Sequence, residues 1–484
     1  MESVLSTNDV RRRTILLLIL TFILTAMPLA IAGETPQIDS GKRAQVDAII
    51  EQMLQEGHYP GIGLAIEYKG AVYEKGYGLA DVEHQVPVTP DTVFPIGSVS
   101  KSFTALAIMQ LVDQGKVSLD APLGQYLTEY SGPARDVPIR RLLNHTNGLP
   151  DYADMPEFES NPEADITVQQ FMAAVEKKPL EFKPGDLFSY TNTDIFLLGL
   201  VVEHVSGIPL ASYLKQHIWE PFGMSHTYLA GYAEIVPNRA RGYEWGGSFE
   251  NAEQTSVTQS YAPGGIMSIT DDMLKYRRGV FEGNKTSPAI RKNLLTQDSL
   301  NDGTRLDYAL GCLIVRDFNG HRKISHAGVI AGYAALYAYY PDDDLTIMVE
   351  TNNDYSSIQP YAIELKLARA MLDIPSPKIV DLPVPVDDVA AFTGDFEVTP
   401  IRFATSRYGF VAKDGKLFAK AGGVESKRRP MPLLYQGNGK FVTAADIEWA
   451  FQFSSERPKA NHMSFEWFDG VFKTNRSDVA NTGK

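Results

Sequence analysis

The stretch Gly97–Ala105 reads GSVSKSFTA. It opens a longer run, SKSFTALAIMQLVDQGKVSLD, that is apolar on nearly all sides until Gly115. A helix of that kind is buried in the middle of a domain, and Gly115 reads as its C-cap. A lysine in its first turn needs a reason. With a helix starting near Ser98, Ser98 and Lys101 lie three residues apart on one face. Ser98 then sits where free N–H groups and the positive end of the helix dipole stabilise an oxyanion. The same dipole, together with burial, disfavours a protonated lysine. A neutral amine beside a serine hydroxyl can act as general base and activate a nucleophile.

The flanking sequence supplies the frame. Residues 42–57 place Val46, Ile49, Ile50, Met53 and Leu54 at helical spacing. GIGLAIEYKGAVYEKGYG reads as two strands around a Lys69-Gly70 turn. DIFLLGLVVEHVSG is a second buried helix, closed by Gly207. YALGCLIVRD, HRKISHAG, AGYAALYAYYP and DLTIMVETN read as successive antiparallel strands. Strands at the front, helices in the middle and strands at the back predict an α+β domain, an antiparallel sheet flanked by helices, over residues 38–374. PSPKIVDLPVPV, at residues 375–386, reads as a stiff proline-rich linker. Short alternating segments after it predict a small all-β unit over 387–484, a sandwich or a barrel.

The whole chain narrows the function. A net charge of −14 over 484 residues argues against nucleic acid or an anionic membrane surface as partner. Arg11, Arg12 and Arg13 precede an apolar run ending in Ala30-Ile31-Ala32. That is the pattern of an export signal over residues 1–32, cut after Ala32, so the expected location is periplasmic or secreted. The arginines permit a Sec or a twin-arginine route, and an uncleaved anchor is the alternative. Membrane contact is otherwise not expected. Cys312 is the only cysteine. It excludes an internal disulfide and reads as a buried structural thiol.

Two further motifs join Ser98 and Lys101. FSYTNTDIFLLG holds Tyr190-Thr191-Asn192 just before a helix, a position that predicts an exposed loop. A phenol and an amide placed together can relay a proton and hold a substrate carbonyl. KISHAGVIAGYAALY holds His326-Ala327-Gly328 on a predicted strand. Gly328 lets a substrate backbone approach that strand, and the N–H of Val329 can serve as second oxyanion donor. SYLK at Ser212–Lys215 repeats the Ser-x-x-Lys spacing without a Gly-Ser entry and reads as an ordinary exposed helix turn. The nine histidines are scattered with no HExxH, which disfavours a metallohydrolase. An α/β-hydrolase would carry G-x-S-x-G.

The ordered triplet Ser-x-x-Lys, Tyr-x-Asn, His-x-Gly resembles the serine β-lactamase and penicillin-binding protein superfamily, in its class C-like branch. LLNHTNGLPDY (142–152), YAPGGIMSITDDMLKY (261–276) and IWEPFGMSHTYL (218–229) fit as well. The resemblance spans roughly residues 42–372, and the trailing β unit resembles the lipocalin-like appendage of some members. It implies an acyl-enzyme mechanism without cofactor or metal. Ser98 attacks a carbonyl, Lys101 with Tyr190 takes its proton, and the N–H groups of Ser98 and Val329 hold the oxyanion. Asn192 orients the substrate, and His326 stands where lactamases carry a lysine for a substrate carboxylate. A histidine there is neutral for much of the time near neutral pH. That shifts the expected substrate, a small molecule or short peptide, toward an ester or a D-amino-acid-containing peptide and away from a true β-lactam. A class C-like β-lactamase is the alternative. A non-turnover penicillin- or peptide-binding sensor is the alternative of another class. Oligomeric state is not readable from the sequence.

Overall fold

The computed structural model describes residues 36–477, apart from 232, 355–357, 399–400, 403–406, 428–429, 445–446 and 468–469. The expected export signal at 1–32 lies outside the described residues. Among those described, no single helix is long and apolar enough to cross a membrane.

The larger part is built on a nine-stranded sheet. Its spatial order is Gln297–Ser299, Arg305–Ala309, Leu313–Phe318, His321–Ile330, Tyr333–Tyr340, Leu345–Thr351, Gly61–Tyr68, Ala71–Asp81 and Val86–Pro87. Every neighbouring pair is antiparallel. The N-terminal hairpin joins the late strands through Ile66 opposite Ile347 and Leu64 opposite Val349. Side chains alternate across a strand, and here both faces are covered. Ile62, Leu64, Ile66, Ile347 and Val349 face the helices Ser40–Glu56 and Pro360–Leu372. Ala65, Met348 and Tyr337 face the opposite core, which holds Phe103, Leu106, Leu197 and Val201. Burial on both sides explains why these strands read as continuous apolar runs.

The helix Ser100–Asp113 buries every residue from Ser100 to Met109, and Gly115 follows it at φ +69°. Thr193–Ser206 lies beside it in the same core and ends on left-handed Gly207. Both follow the pattern expected from their sequences. YALGCLIVRD departs from expectation. It breaks into the strands Arg305–Ala309 and Leu313–Phe318. Cys312 takes φ +51° and its N–H donates to Ala309 O at 3.0 Å, so the segment turns back on itself. The Cys312 thiol is buried, and burial pushes its pKa up.

No regular element occupies 374–385. A short helix, Val386–Phe392, leads into a closed eight-stranded barrel that runs from Gly394–Val398 to Gly470–Arg476. Of the two expected forms it is thus the barrel. Phe396, Phe410, Phe441, Phe451 and Phe453 fill its core. The barrel and the sheet domain meet through Arg369 and Glu448, 2.8 Å apart. A second link is a parallel pairing of Ile401–Arg402 with Phe188–Ser189.

Glu350 sits in the middle of the sheet, fully buried, with no hydrogen-bond partner for either carboxylate oxygen among the described residues. Burial, followed by the nearby Asp272, raises its pKa well above the usual carboxylate range. A carboxyl held protonated in the fold but free to ionise when unfolded costs stability as pH rises past its unfolded pKa. Glu350→Gln removes that cost. Its gain in Tm over the parent protein should grow from about pH 5 to about pH 8. A constant difference across that range in thermal melts refutes the assignment.

Candidate active site

Two glycines shape the entrance to the Ser98 helix. Gly97 adopts φ +49°, which turns the chain from Phe94–Pro95 into the short 3-10 segment Gly97–Val99 and on into the helix. A Cβ on Gly97 would lie 2.7 Å from Val329 N. One on Gly328 would lie 2.0 Å from Ile96 O and 2.8 Å from Ser98 N. Neither position has room for a methyl group. The serine turn and the strand His321–Ile330 therefore touch backbone to backbone, and the amide nitrogens of Ser98 and Val329 are drawn to one place. The turn is pinned from behind by Ser100 Oγ, which accepts from Ile266 N at 3.1 Å.

Lys101 is fully buried. Its Nζ lies 2.9 Å from Ser98 Oγ, 2.8 Å from Asn192 Oδ1 and 3.1 Å from Pro263 O. Burial lowers its pKa to about 8, against the opposing pull of Asp151 and Asp194. A neutral amine has two N–H donors and one lone pair. Asn192 Oδ1 and Pro263 O can only accept, so they take both N–H groups. The lone pair is left facing Ser98 Oγ, which then donates its proton to Lys101. The arrangement is that of a serine with its base already aimed.

Asn192 is the N-cap of the helix Thr193–Ser206. Its backbone N–H and its Nδ2 both donate to Asp151 Oδ2 at 3.0 Å. Tyr190 sets the face of its ring against the amine, with Nζ 4.8 Å from the ring centroid. The expected exposed loop is instead half-buried at Tyr190 and Asn192 and buried at Thr191. The buried strand Phe188–Ser189 leads into it, and the Tyr190 ring packs against His145.

His326 is only 3% exposed, and its imidazole does not line the cleft over Ser98. Its Nδ1 faces Ala327 O at 2.5 Å and its Nε2 faces the Tyr308 hydroxyl at 3.0 Å. The carbonyl can only accept, so Nδ1 carries the proton and Nε2 accepts from Tyr308. Burial, then the charge of Lys101, holds its pKa down at about 3. The contacts continue inward, from Tyr308 hydroxyl to His145 Nε2 at 3.2 Å and from His145 Nδ1 to Asp194 Oδ2 at 2.8 Å. Gly328 and Val329 of the same motif do reach the site. Gly328 packs on the serine turn, and Val329, 51% exposed, forms part of the cleft wall.

The cleft has a volume of about 280 Å3. Ser98, Tyr190 and Asn192 lie at its floor, and Tyr152, Phe158 and Ile330 are among its apolar walls. Among the described residues that line it, Glu159 is the one carboxylate and there is no cationic side chain. Ser212 and Lys215 lie elsewhere, on the short helix Leu210–Leu214 and just after it, half-buried and exposed respectively. Sequence reasoning did not single out Asp151, His145, Tyr308 or the Pro263 carbonyl. The signal was present for three of them. Asp151 and His145 stand in LLNHTNGLPDY and Pro263 in YAPGG, stretches noted for their resemblance and not for their chemistry.

Comparison with known proteins agrees with this geometry. The profile of the Beta-lactamase family matches residues 46–370, about two thirds of the chain. Penicillin-binding protein 4* of Bacillus subtilis is 27% identical over 349 residues, 68% of this chain and 76% of its own length. Protein flp of Staphylococcus aureus strain MW2 is 27% identical over 328 residues, 65% of this chain and 64% of its own, so the match spans just under two thirds of that relative. Among solved structures, the octameric penicillin-binding protein homologue from Pyrococcus abyssi superimposes with a TM-score of 0.63 at 25% identity. It covers 90% of this chain and all of its own, barrel included. D-amino acid amidase from Ochrobactrum anthropi SV3 gives a TM-score of 0.61 at 24% identity over 70% of this chain and 100% of its own, a likeness of fold. A buried lysine aimed at a helix-entry serine, in this sheet and with this profile match, makes the chain a member of the beta-lactamase family, a serine hydrolase of the β-lactamase and penicillin-binding protein superfamily.

Proposed function

We propose that this protein is an exported hydrolase that works through an acyl intermediate on Ser98, on small esters or D-configured aminoacyl and peptide substrates. The observation that carries the reading is the buried Lys101 Nζ within hydrogen-bond distance of Ser98 Oγ and of the carbonyl oxygens of Asn192 and Pro263. Ser98 attacks the substrate carbonyl as its proton passes to Lys101. The N–H groups of Ser98 and Val329 stabilise the oxyanion. The Lys101 ammonium returns the proton to the leaving group, with the Tyr190 phenol beside that path. Water then attacks the acyl carbon, and Lys101 serves as base a second time. Asn192 holds Lys101 and stands at the cleft floor, where it meets the substrate.

Substrate preference is inferred from the walls. His326 is turned away and held neutral, so it is poorly suited to draw a substrate carboxylate. With Glu159 as the one charge on the lining, the cleft favours neutral esters and substrates with a free amine over C-terminal carboxylates and penicillin-type anions. Export rests on the arginine-headed apolar segment at residues 11–32. A protein that acylates and stalls is the second reading, and repeated product release distinguishes the two.

Three measurements test the mechanism. Intact mass after a fluorophosphonate probe should show one adduct, mapped to Ser98, in the parent protein and none in Ser98→Ala or Lys101→Ala. An adduct elsewhere refutes the proposal. The labelling rate should climb with pH and level off above about 8, because only neutral Lys101 accepts the proton and burial sets its pKa there. A rate independent of pH from 6 to 10 removes Lys101 as base. Gly328→Ala should lower the labelling rate by about 100-fold or more, since its methyl group drives the oxyanion donors apart. A near-parental rate would show that the contact yields without cost.

A further inference from the structure

Asn192 has an amide that fits its site in either of two orientations by shape, and only one of them serves the base. With Oδ1 toward Lys101, the amide takes one amine N–H. Reversed, it would present Nδ2–H to Nζ, and the lone pair would turn to accept that bond instead of Ser98 O–H. Among the described residues, Asp151 is the acceptor that holds the nitrogen end of the amide. Its Oδ2 accepts from both Asn192 N and Asn192 Nδ2 at 3.0 Å, and its Oδ1 accepts from Ala153 N at 3.1 Å. Burial raises the Asp151 pKa to about 7, but Oδ2 already accepts the Asn192 backbone N–H, and an acceptor oxygen at that point calls for the nitrogen end of the side-chain amide. Asp151 is itself fixed where the chain leaves LLNHTNGLPDY. There Thr193 Oγ1 donates to Pro150 O at 2.7 Å and accepts from Tyr152 N at 2.8 Å.

We propose that Asp151 is a positioning residue, which fixes the Asn192 amide so that the Lys101 lone pair stays on Ser98. Asp151 is not itself among the residues that line the cleft, and it acts on Lys101 through Asn192, which does line it. The inference rests on the reading of Ser98 and Lys101 as nucleophile and base.

The test is a double-mutant cycle on the full chain, read by fluorophosphonate labelling of Ser98 and by kcat and KM on an ester substrate. Asp151→Ala should slow labelling and lower kcat by about 10- to 100-fold, a fraction of the roughly 100- to 10,000-fold that a general base supplies, and leave KM within about threefold. Asp151→Asn, which keeps an acceptor oxygen for both Asn192 donors, should recover most of that loss. In an Asn192→Ala background, Asp151→Ala should have no further effect, because coupled residues are not additive. Circular dichroism and thermal melts show whether each variant is folded, and Asp151→Asn serves as the informative variant where the alanine variant fails to fold. The proposal is overturned if Asp151→Ala labels at the parental rate, if the two losses multiply, or if Asp151→Asn is as slow as Asp151→Ala. Those results, with the parent still labelled on Ser98 and Lys101→Ala silent, leave the nucleophile and base standing. A parent that fails to label removes both.

Discussion

The constraint on which the site depends is an amine without water. Lys101 is sealed in a core of aliphatic and aromatic side chains, where burial disfavours the ammonium. The fold answers with carbonyl oxygens and no carboxylate in direct contact. Asn192 Oδ1 and Pro263 O satisfy the two N–H groups of the neutral form. A carboxylate placed there would have stabilised the cation and removed the base. Asp151 and Asp194 stand one residue farther out, close enough to oppose the pKa depression without abolishing it. Burial thus favours the neutral state, and the carboxylates beyond keep the amine within reach of protonation.

Several parts of the molecule follow from that placement. The buried helix is needed to hold the lysine dry, and its apolar surface demands a large two-sided sheet domain. The serine must still meet solvent, so the helix entry is bent through a left-handed glycine. The oxyanion donors come from two chain segments that share no sequence neighbourhood, and a second glycine lets them touch. The requirement at each glycine is the absence of an atom.

Much of this was readable from residues alone, where local pattern and tertiary role coincide. The Ser98 helix, the Asn192 helix and the N-terminal hairpin have caps, turns and periods that agree with their final burial. The serine–lysine pair was visible because a lysine contradicts its apolar surroundings. Where pattern and role diverge, reading failed. YALGCLIVRD looks like one strand because no residue in it forbids extension except at Gly311-Cys312, where the turn is set by packing. Tyr-x-Asn looked exposed because polar residues before a helix usually are, whereas Tyr190 packs against Lys101 and His145. His326 looked like a ligand for substrate because its motif lies on the right strand. Its side chain alternates to the inner face, where Tyr308 and the His145–Asp194 pair absorb it. Asp151 could not be found by type or spacing, since its role exists only once Asn192 is in place.

The pairing of Gly61–Tyr68 with Leu345–Thr351 has a consequence for how the chain comes to be folded. These two neighbouring strands are 345 − 68 = 277 residues apart in the sequence, so this domain has a high contact order and a large loop to close. During synthesis the first hairpin is made early and has no neighbour on its inner edge until the last strand of the domain emerges. Both helices that cover that face, Ser40–Glu56 and Pro360–Leu372, belong to the same two ends. Collapse of the first half alone leaves the sheet unfinished and one face bare. The domain is therefore assembled late and all together. The Ser98 turn, which needs the strand His321–Ile330 beside it, is among the last features to exist.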